Sequence, residues 1–209
     1  MPLAIPEFLQ VRLRQPVAIF GGGVSGEAVL ALLGELGIPG LVYDERGRRF
    51  TPADAAGHAL AVVSPGFAPD HPWIATAEAA GIAWLGEIDF ASCFWQGRVV
   101  AITGTNGKTT LTEFLAHALT AAGESAVAAG NIGRPLSRVA LDLDGGAGWT
   151  AVCEVSSFQA ETLRHFQADA TLWTNFAEDH LERHGDLATY FPAKWNLVAR
   201  TPSGAVFAG

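Results

Sequence analysis

The amino-acid sequence predicts an α/β protein in which parallel strands alternate with helices. Three observations favour this class. Short apolar runs recur along the chain, helix-forming stretches that end at glycine separate them, and two of the runs lead directly into a glycine-rich turn. Such alternation is typical of a parallel sheet whose faces are covered by helices.

The first half of the chain predicts a Rossmann-like unit, which we place at residues 1–96. It is built around the apolar strand VAIF (17–20) and the glycine turn that follows it. Proline and glycine mark the limits of its helices, as they do in many proteins. The predicted strands are 17–20, 40–45, 59–66 and 81–90, and the predicted helices are 27–36, ended by Gly37, and 71–81.

The pattern restarts near Trp95 to Arg98, where we place the start of a second, P-loop-type α/β unit at residues 97–209. Its last segment, 201–209, predicts a turn and a strand with no helix after it. We therefore expect this unit to be truncated, as in a fragment of a longer protein. The predicted strands are 97–104 and 148–157, 125–133 is predicted to be a strand and turn, and 168–180 a strand that runs into an acidic, His-bearing loop. A helix over 108–122 is closed by Gly123.

The composition limits the classes of function. Hydrophobic residues make up 49% of the chain and charged residues only 16%, which is enough apolar material for a buried core and argues against disorder. Lys and Arg number 13 against 21 Asp and Glu, a formal net charge of −8. Such an acidic chain is not expected to bind nucleic acid through a broad basic surface. Any phosphate site must therefore be local.

Cysteine usage and the N-terminal sequence indicate a cytoplasmic protein. The two cysteines, Cys93 and Cys153, show neither CxxC nor Cys/His spacing, so a disulfide scaffold and a structural zinc site are both disfavoured. The N-terminal segment lacks the charged and apolar pattern of a secretory signal. No apolar run reaches the roughly 18 residues that a membrane span needs.

The first glycine turn has the spacing of a dinucleotide-binding fingerprint. Gly21, Gly23 and Gly26 fit G-x-G-x-x-G between a strand and a helix, and Asp44 ends the next predicted strand. Glycines at these positions let backbone amides approach a diphosphate at a helix N-terminus. A nicotinamide-dependent oxidoreductase and a turn that binds nothing are the alternatives that this pattern leaves open.

The second glycine turn, Gly104 to Thr110, is the more specific signal. A Gly-Lys-Thr sequence at the start of a helix places backbone amides and the Lys108 ammonium around a polyphosphate, and Thr109 or Thr110 can offer a hydroxyl to Mg²⁺. Ile102 stands where the usual P-loop has its first glycine, which argues against an ordinary P-loop kinase or GTPase.

TGTNGKTT (103–110) resembles the ATP-binding loop of the Mur ligase and folylpolyglutamate synthetase superfamily. Further stretches narrow the resemblance to the Mur ligases that join D-glutamate to UDP-N-acetylmuramoyl-L-alanine. They are GNIG (130–133), EVSSFQAE (154–161), TNFAEDHLERHG (174–185) and YFPAK (190–194), together with GGGVSG (21–26), Asp44 and SPG (64–66) for the UDP-binding domain.

The resemblance implies an amide-forming ligase of peptidoglycan synthesis with three domains, of which this chain would hold the first and about half of the second. ATP would phosphorylate the alanyl carboxylate, and the amine of D-glutamate would attack the acyl phosphate. ATP and two Mg²⁺ ions are the implied cofactors, and a monomer that does not turn over alone is expected. Another amide ligase of this superfamily and a non-catalytic nucleotide-binding fragment remain as alternatives.

The resemblance also implies roles for particular residues. Lys108 would contact the terminal phosphates, Thr109 and Glu154 would hold the first Mg²⁺, and His180 would bind the second. The loop residues in contact with ATP would be Gly104, Thr105, Asn106, Gly107, Lys108, Thr109 and Thr110. The residues in contact with the UDP-linked substrate would be Gly23, Val24, Ser25, Asp44, Ser64, Gly66, Asn131 and Ser157, with Ser156 and Gln159 completing the signature after Glu154.

Lys194 matches a lysine that the family carries as a carbamate, whose oxygens would bind Mg²⁺ where an ammonium would repel it. Two departures from the family pattern bear on this position. Pro192 stands two residues before the lysine, where alanine is common, and the loop after His180 is one residue shorter than in some members. Proline is tolerated in the first turn of a helix but not in its interior, so the geometry at Lys194 is open to question.

Overall fold

The computed structural model describes residues 3–179, 183, 186–202 and 205–209. It contains two parallel sheets with helices packed against them, which confirms the predicted α/β class. The strands are β1 (Val17–Phe20), β2 (Gly40–Tyr43), β3 (Leu60–Val63), β4 (Ala83–Gly86), β5 (Arg98–Thr103), β6 (Ala126–Gly130), β7 (Thr150–Glu154), β8 (Ala170–Trp173) and β9 (Val206–Ala208).

The helices are α1 (Glu7–Gln10), α2 (Val24–Glu35), α3 (Pro52–Ala55), α4 (Pro72–Ala79), α5 (Glu87–Ser92), α6 (Lys108–Ala121), α7 (Leu136–Asp142), α8 (Ser157–Ala160) and α9 (Leu187–Val198). The longest helices are α2, α6 and α9, and the others are short. A single 3₁₀ turn, Arg12–Arg14, follows α1.

The first sheet has the strand order β2-β1-β3-β4, and every pairing is parallel. Side chains of β1 alternate between its two faces: Val17 and Ile19 pack with α2, whereas Ala18 and Phe20 pack in a separate cluster on the other side. Both faces are therefore covered, which is why this strand is a continuous apolar run.

The second sheet has the order β6-β7-β5-β8-β9, again with parallel pairings throughout. Its central strand β5 lies between β7 and β8, so the turn that follows β5 is flanked by the ends of both neighbours. Val99 and Ala101 face one apolar cluster and Ile102 faces the cluster under α6. This topology puts the phosphate-type turn, Glu154 and the loop after β8 at one edge of the sheet.

The sequence prediction differs from the structure at one predicted strand and at helices that it did not include. The segment 81–90 was expected to be one strand, but β4 ends at Gly86 and α5 begins at Glu87. The prediction of a long strand was wrong because Glu87 and Asp89 are buried in the first turn of α5. The apolar pattern of the sequence did not distinguish this helix from the strand before it. The helices α7 and α9 were not predicted, although α9 contains the lysine of the YFPAK motif.

Two buried carboxylates of α5 join the two halves of the chain. Asp89 accepts backbone N–H bonds from Arg164, His165 and Phe166 at 2.7–3.1 Å. Glu87 accepts one from Ser137 at 2.8 Å, and burial raises the pKa of this carboxyl group. The halves are thus packed together, while the boundary near Trp95 to Arg98 stays a prediction.

Within the part of the chain that the structure describes, no helix has the length and apolar character required to cross a membrane.

Candidate active site

The turn between β5 and α6 has the shape of a phosphate-binding loop. Gly104 has φ +138°, and a Cβ atom there would lie 2.0 Å from Thr174 Oγ1, so only glycine fits. Gly107, with φ +81°, precedes the first residue of α6. The first amides of this helix have no intrahelical acceptor and carry the positive end of its dipole, which together favour an anion.

The loop that follows β8 holds this turn in place. The Thr105 N–H donates to the Asn175 carbonyl oxygen at 3.1 Å, and the Asn106 N–H donates to Asn175 Oδ1 at 2.9 Å. The Thr174 hydroxyl donates to the Asn106 carbonyl oxygen at 2.6 Å. The turn is therefore fixed from outside while the start of α6 stays available for a ligand.

Glu154 ends β7 and reaches across to the start of α6. Its Oε2 accepts a hydrogen bond from Thr109 Oγ1 at 2.7 Å, and its Oε1 accepts one from Asn131 Nδ2 at 3.1 Å. The residue is 1% exposed. A buried carboxylate beside a threonine hydroxyl is a set of oxygen donors of the kind that Mg²⁺ prefers.

This donor set is small, and its size fits one particular mode of metal binding. Among the described residues, no group of three or more His, Cys, Asp and Glu side chains is placed to hold a metal ion. Mg²⁺ commonly takes one or two protein ligands and completes its shell with phosphate oxygens and water. Thr109 and Glu154 therefore fit a metal that arrives with a nucleotide.

The chain contains only two lysines, Lys108 and Lys194, and both line the same cavity. Lys108 Nζ donates to the Thr105 carbonyl oxygen at 2.8 Å, so the side chain folds back over the turn. Lys194 Nζ donates to the Gly104 carbonyl oxygen at 2.8 Å from the opposite side. Both lysine side chains of the protein therefore contact the turn between β5 and α6.

Lys194 lies in α9 and is 1% exposed. Burial and, to a smaller extent, the Lys108 charge lower the pKa of its ammonium from 10.5 to about 8, and Asp179 and Glu154 act in the opposite direction. With this pKa, roughly a tenth of the amine is neutral and therefore nucleophilic at pH 7. The helix continues through Pro192, its sixth residue, and the lysine reaches the site despite this proline.

Tyr190 precedes Lys194 by one helical turn and completes the wall of the site. Its ring centroid lies 4.9 Å from Lys194 Nζ, and its hydroxyl lies 3.3 Å from Thr105 Oγ1. Thr105 Oγ1 also donates to the Ala177 carbonyl oxygen at 3.1 Å and accepts from the Ala177 N–H at 3.0 Å. The tyrosine thus helps to connect α9 to the turn and to the loop after β8.

These side chains enclose a cavity of about 250 Å³. Ser157 lies on its wall at the start of α8. Ser156 and Gln159 form a reciprocal capping box that fixes this helix, with hydrogen bonds of 3.0 and 3.2 Å. The residues that line the cavity are Thr105, Asn106, Gly107, Lys108, Thr109, Asn131, Ile132, Glu154, Ser156, Ser157, Tyr190 and Lys194.

The glycine turn of the first sheet, between β1 and α2, is built by close packing. A Cβ atom on Gly26 would lie 1.9 Å from the Gly21 carbonyl oxygen, and one on Gly21, which has φ +103°, would lie 2.7 Å from Ser64 Oγ. A Cβ atom on Gly23 would have no neighbour within 4 Å. The turn is therefore closely packed at Gly21 and Gly26 and open at Gly23, as close approach of a ligand requires.

Asp44 braces this first turn. Its Oδ2 accepts from the Gly22 N–H at 2.8 Å and its Oδ1 from the Arg46 N–H at 2.9 Å, and these two hydrogen bonds lower the pKa of the carboxyl group. Val24 begins α2 beside a cavity of about 170 Å³ that also contacts Pro135 and Arg138 from the other half of the chain. The open side of the turn thus faces towards α7.

The Mur ligase middle domain family matches residues 102–208, which is just over half of the chain. This chain belongs to that family.

Three curated relatives of this Mur ligase chain share the name UDP-N-acetylmuramoylalanine–D-glutamate ligase. The protein from Gloeobacter violaceus is 36% identical over 87% of this chain and 46% of its own length. That from Mycobacterium tuberculosis is 38% identical over 99% and 45%, and that from Desulfotalea psychrophila is 40% identical over 88% and 44%. The chain therefore spans a little under half the length of these relatives.

Solved structures agree on the Mur ligase fold. The UDP-N-acetylmuramate:L-alanyl-γ-D-glutamyl-meso-diaminopimelate ligase from Neisseria meningitides superimposes with a TM-score of 0.61 at 18% identity, over 93% of this chain and 71% of that one. The UDP-N-acetylmuramate–alanine ligase from Thermotoga maritima gives a TM-score of 0.52 at 23% identity, over 93% and 49%. At these identities the likeness establishes the fold alone.

The structure brings most of the expected Mur ligase residues together. Gly104 is buried under the turn rather than in the cavity, and Thr110 is exposed on α6 outside it. Ser64 lies under Gly21, and Gly66 is exposed in the loop after β3. His180 lies outside the described residues. The sequence analysis overlooked Tyr190, although its spacing of four from Lys194 predicts a shared helix face.

Proposed function

We propose that the chain holds the UDP-binding part, residues 1–96, and the ATP-binding part, residues 97–209, of a ligase that joins D-glutamate to UDP-N-acetylmuramoyl-L-alanine. The observation that carries the proposal is the 2.7 Å contact between Thr109 and Glu154 in a cavity that also contains both lysines. The shared name of the relatives supports this choice of substrate.

In the first step, an oxygen of the alanyl carboxylate attacks the γ-phosphorus of ATP, and the bond to the β-phosphate oxygen breaks. The products are an acyl phosphate and ADP. Negative charge accumulates on the transferring group, so catalysis depends on preorganised positive charge. Lys108 and the first amides of α6 supply it from the second glycine turn.

Mg²⁺, when bound, would neutralise phosphate charge in this step. Thr109 Oγ1 and Glu154 would hold the first ion. We propose Lys194, as a carbamate, and His180 as ligands of a second one. The depressed pKa of Lys194 supports this assignment, because only its neutral amine can add to CO₂.

In the second step, the neutral amine of D-glutamate attacks the acyl carbon. An amide forms, phosphate leaves with the electrons of the broken C–O bond, and the amine loses a proton. Asn131 and Ser157 line the cavity near Glu154, and they would contact the reacting acyl group. Val24, Ser25 and the bracing carboxylate of Asp44 would keep the diphosphate of the substrate at the first turn.

Binding experiments on the chain test the nucleotide assignments separately. Calorimetric titration should show one site for UDP and a second, Mg²⁺-dependent site for a non-hydrolysable ATP analogue. Glu154→Gln should abolish the Mg²⁺ dependence of the second site, whereas Glu113→Gln, an exposed change on α6, should not. Binding of NADH with no detectable binding of UDP would instead favour the oxidoreductase interpretation of the G-x-G-x-x-G turn.

Turnover requires a different experiment, because the relatives are about twice as long as this chain. We expect no phosphate release from these 209 residues alone. Mass spectrometry of the protein from its source would show whether a longer species exists. That species should release ADP and phosphate only with UDP-N-acetylmuramoyl-L-alanine and D-glutamate. Release with L-glutamate or meso-diaminopimelate would assign the chain to another amide ligase of the superfamily.

A further inference from the structure

A groove outside both glycine turns lies at the amino-terminal edge of the first sheet. Leu60 and Ala83, the first residues of β3 and β4, line it together with α1. Its volume is about 330 Å³, within the range of about 300–1,000 Å³ that small-molecule sites occupy. The glycine turn follows the opposite end of β1, so this groove is separate from the site proposed for UDP.

The inner wall of the groove is apolar and its rim is basic. Leu9, Leu60 and Leu85 are buried in the wall. Arg12, Arg164 and His165 contribute the polar groups, and all three are exposed. In a chain with a net charge of −8, three basic residues around one apolar groove form an isolated region that suits an anion.

Aromatic groups accompany these basic side chains. The Arg164 guanidinium lies 4.8 Å from the centroid of the Trp84 ring, and the His165 ring stacks on Phe8 with centroids 4.3 Å apart and an interplanar angle of 24°. Among the described residues, the Arg164 guanidinium has no hydrogen-bond acceptor, and Arg12 donates only to the Phe8 carbonyl oxygen, at 3.2 Å. Donors of both guanidinium groups therefore remain available to a ligand.

The turn that presents Arg164 and His165 is fixed before any ligand arrives. The buried carboxylate of Asp89 accepts the backbone N–H groups of residues 164–166, and Arg200 donates to the Arg164 carbonyl oxygen at 2.7 Å. Because these hydrogen bonds hold the backbone, the side chains of Arg164 and His165 are left to face the groove. A preorganised turn of this kind lowers the entropic cost of binding.

We propose that this groove binds a small aromatic carboxylate. The flat apolar part would lie against the leucine wall beside the exposed Phe8 ring, because the Trp84 ring is 6% exposed and is already covered by the Arg164 guanidinium. The carboxylate would accept a paired hydrogen bond from the Arg164 guanidinium, which is the geometry that planar guanidinium groups favour. This site shares no residue with the cavity around Lys108, so the proposal does not depend on the proposed ligase reaction.

The test compares two matched probes, 1-naphthoate and its neutral isostere 1-naphthamide. Each is titrated calorimetrically into the 209-residue chain. We expect one saturable site for 1-naphthoate and at least about tenfold weaker binding of 1-naphthamide, since the charge-assisted hydrogen bonds are lost. Octanoate, which cannot stack, should also bind more weakly than 1-naphthoate.

Two variants and one matched control locate the site. Arg164→Gln should weaken 1-naphthoate binding about tenfold or more, and Arg12→Gln should weaken it about threefold. Both side chains are exposed, so the fold should be kept, which circular dichroism would check. Arg98→Gln removes the same charge at an exposed position on β5 and should have no effect. Equal affinity for the two probes, or unchanged binding by Arg164→Gln, would overturn the proposal.

Discussion

The two glycine turns of this chain share a backbone design and differ in the side chains around them. Each follows a central strand of a parallel sheet, β1 in one and β5 in the other, and each begins a long helix, α2 or α6. Each therefore offers helix amides to an anion in the same way. The similarity explains why the sequence shows two phosphate-type signals.

The first turn is braced by packing and by one carboxylate, whereas the second gathers reactive groups from three other elements. Glu154 comes from β7, Lys194 from α9 and Asn175 from the loop after β8. The comparison indicates that the backbone turn supplies anion binding and that the neighbouring strands and helices decide whether chemistry is added. Under the proposed function, the first turn would hold a substrate and the second would activate it.

The largest expected effect is the loss of ATP binding when the second turn loses its cation. Lys108→Ala should weaken the affinity for a non-hydrolysable ATP analogue by about 100-fold, since a charge-assisted contact contributes up to about 3 kcal/mol. UDP affinity should be unchanged, because that ligand uses the other turn. Calorimetry of both ligands measures the two effects.

Arg98→Ala is the matched control for Lys108→Ala, because it removes one exposed positive charge away from either turn. It should leave both affinities unchanged. If Lys108→Ala lowered the affinity for UDP as well as for the ATP analogue, the assignment of the two ligands to separate turns would be contradicted.

A second prediction concerns the packing that closes the first turn. Gly26→Ala would place a Cβ atom 1.9 Å from the Gly21 carbonyl oxygen, and backbone must shift to relieve the contact. We expect a loss on the order of 2–3 kcal/mol in the free energy of unfolding, which urea denaturation measures. Gly23→Ala, where a Cβ atom has no neighbour within 4 Å, should change it by less than about 0.5 kcal/mol. Equal values for the two variants would contradict the packing account.

The sequence alone predicted the parts of the site that follow strands. Strand ends and helix starts have recognisable local sequence patterns. These positions hold the glycines of the turns, Lys108, Thr109 and Glu154. It did not reveal α7, whose seven residues pack against buried surface and lack the length of a clear amphipathic pattern. Local patterns also could not show that Asp89 would cap a turn 75 residues away, because that contact depends on how the halves pack.

Lys194 is the site residue for which the sequence gave conflicting signals. The motif YFPAK predicted its role, but Pro192 argued against an intact helix. The structure shows a helix that begins early, at Leu187, and continues through the proline. Propensity is overridden here by burial, since Tyr190, Leu197 and Lys194 of this helix are all packed against the rest of the molecule.

A third prediction uses the pKa of Lys194. Because this pKa falls from 10.5 to about 8, the unfolded chain binds more protons than the folded one between these values, and stability from this group rises with pH across that window. Below about pH 8 the buried ammonium is a cost to folding, at most roughly 3 kcal/mol. Lys194→Met should remove the rise that this group contributes, as the difference between the two proteins in urea denaturation from pH 7 to about 10.5 would show, since the buried thiols of Cys93 and Cys153, whose pKa values burial raises, act in the opposite direction in both.

The same variant tests the chemistry of the amine. With ¹³C-bicarbonate, a carbamate resonance should appear in the native chain and in Lys108→Met and should be absent from Lys194→Met. A carbamate resonance that stays in Lys194→Met and disappears in Lys108→Met would show that the reactive amine is Lys108 and not Lys194.

The smallest expected effect on ligand affinity is at Asp44, where the loss of a hydrogen bond and the loss of a charge repulsion act in opposite directions. Asp44→Asn exchanges one acceptor oxygen for a donor, so either the Gly22 or the Arg46 N–H loses its partner and the first turn loosens. Removing the charge also relieves repulsion of a bound diphosphate. The lost backbone hydrogen bond should outweigh the exposed charge term, so UDP affinity should fall about threefold.

Glu45→Gln separates these two terms, since it removes a neighbouring exposed carboxylate that does not brace the turn. It should leave UDP affinity unchanged or raise it slightly, and added salt should cancel that gain because salt screens the charge term. The loss in Asp44→Asn should persist in high salt, because a hydrogen bond to the backbone is not screened in this way. If salt abolished the loss, Asp44 would act on the ligand through its charge, and the first turn would owe its shape to glycine packing alone.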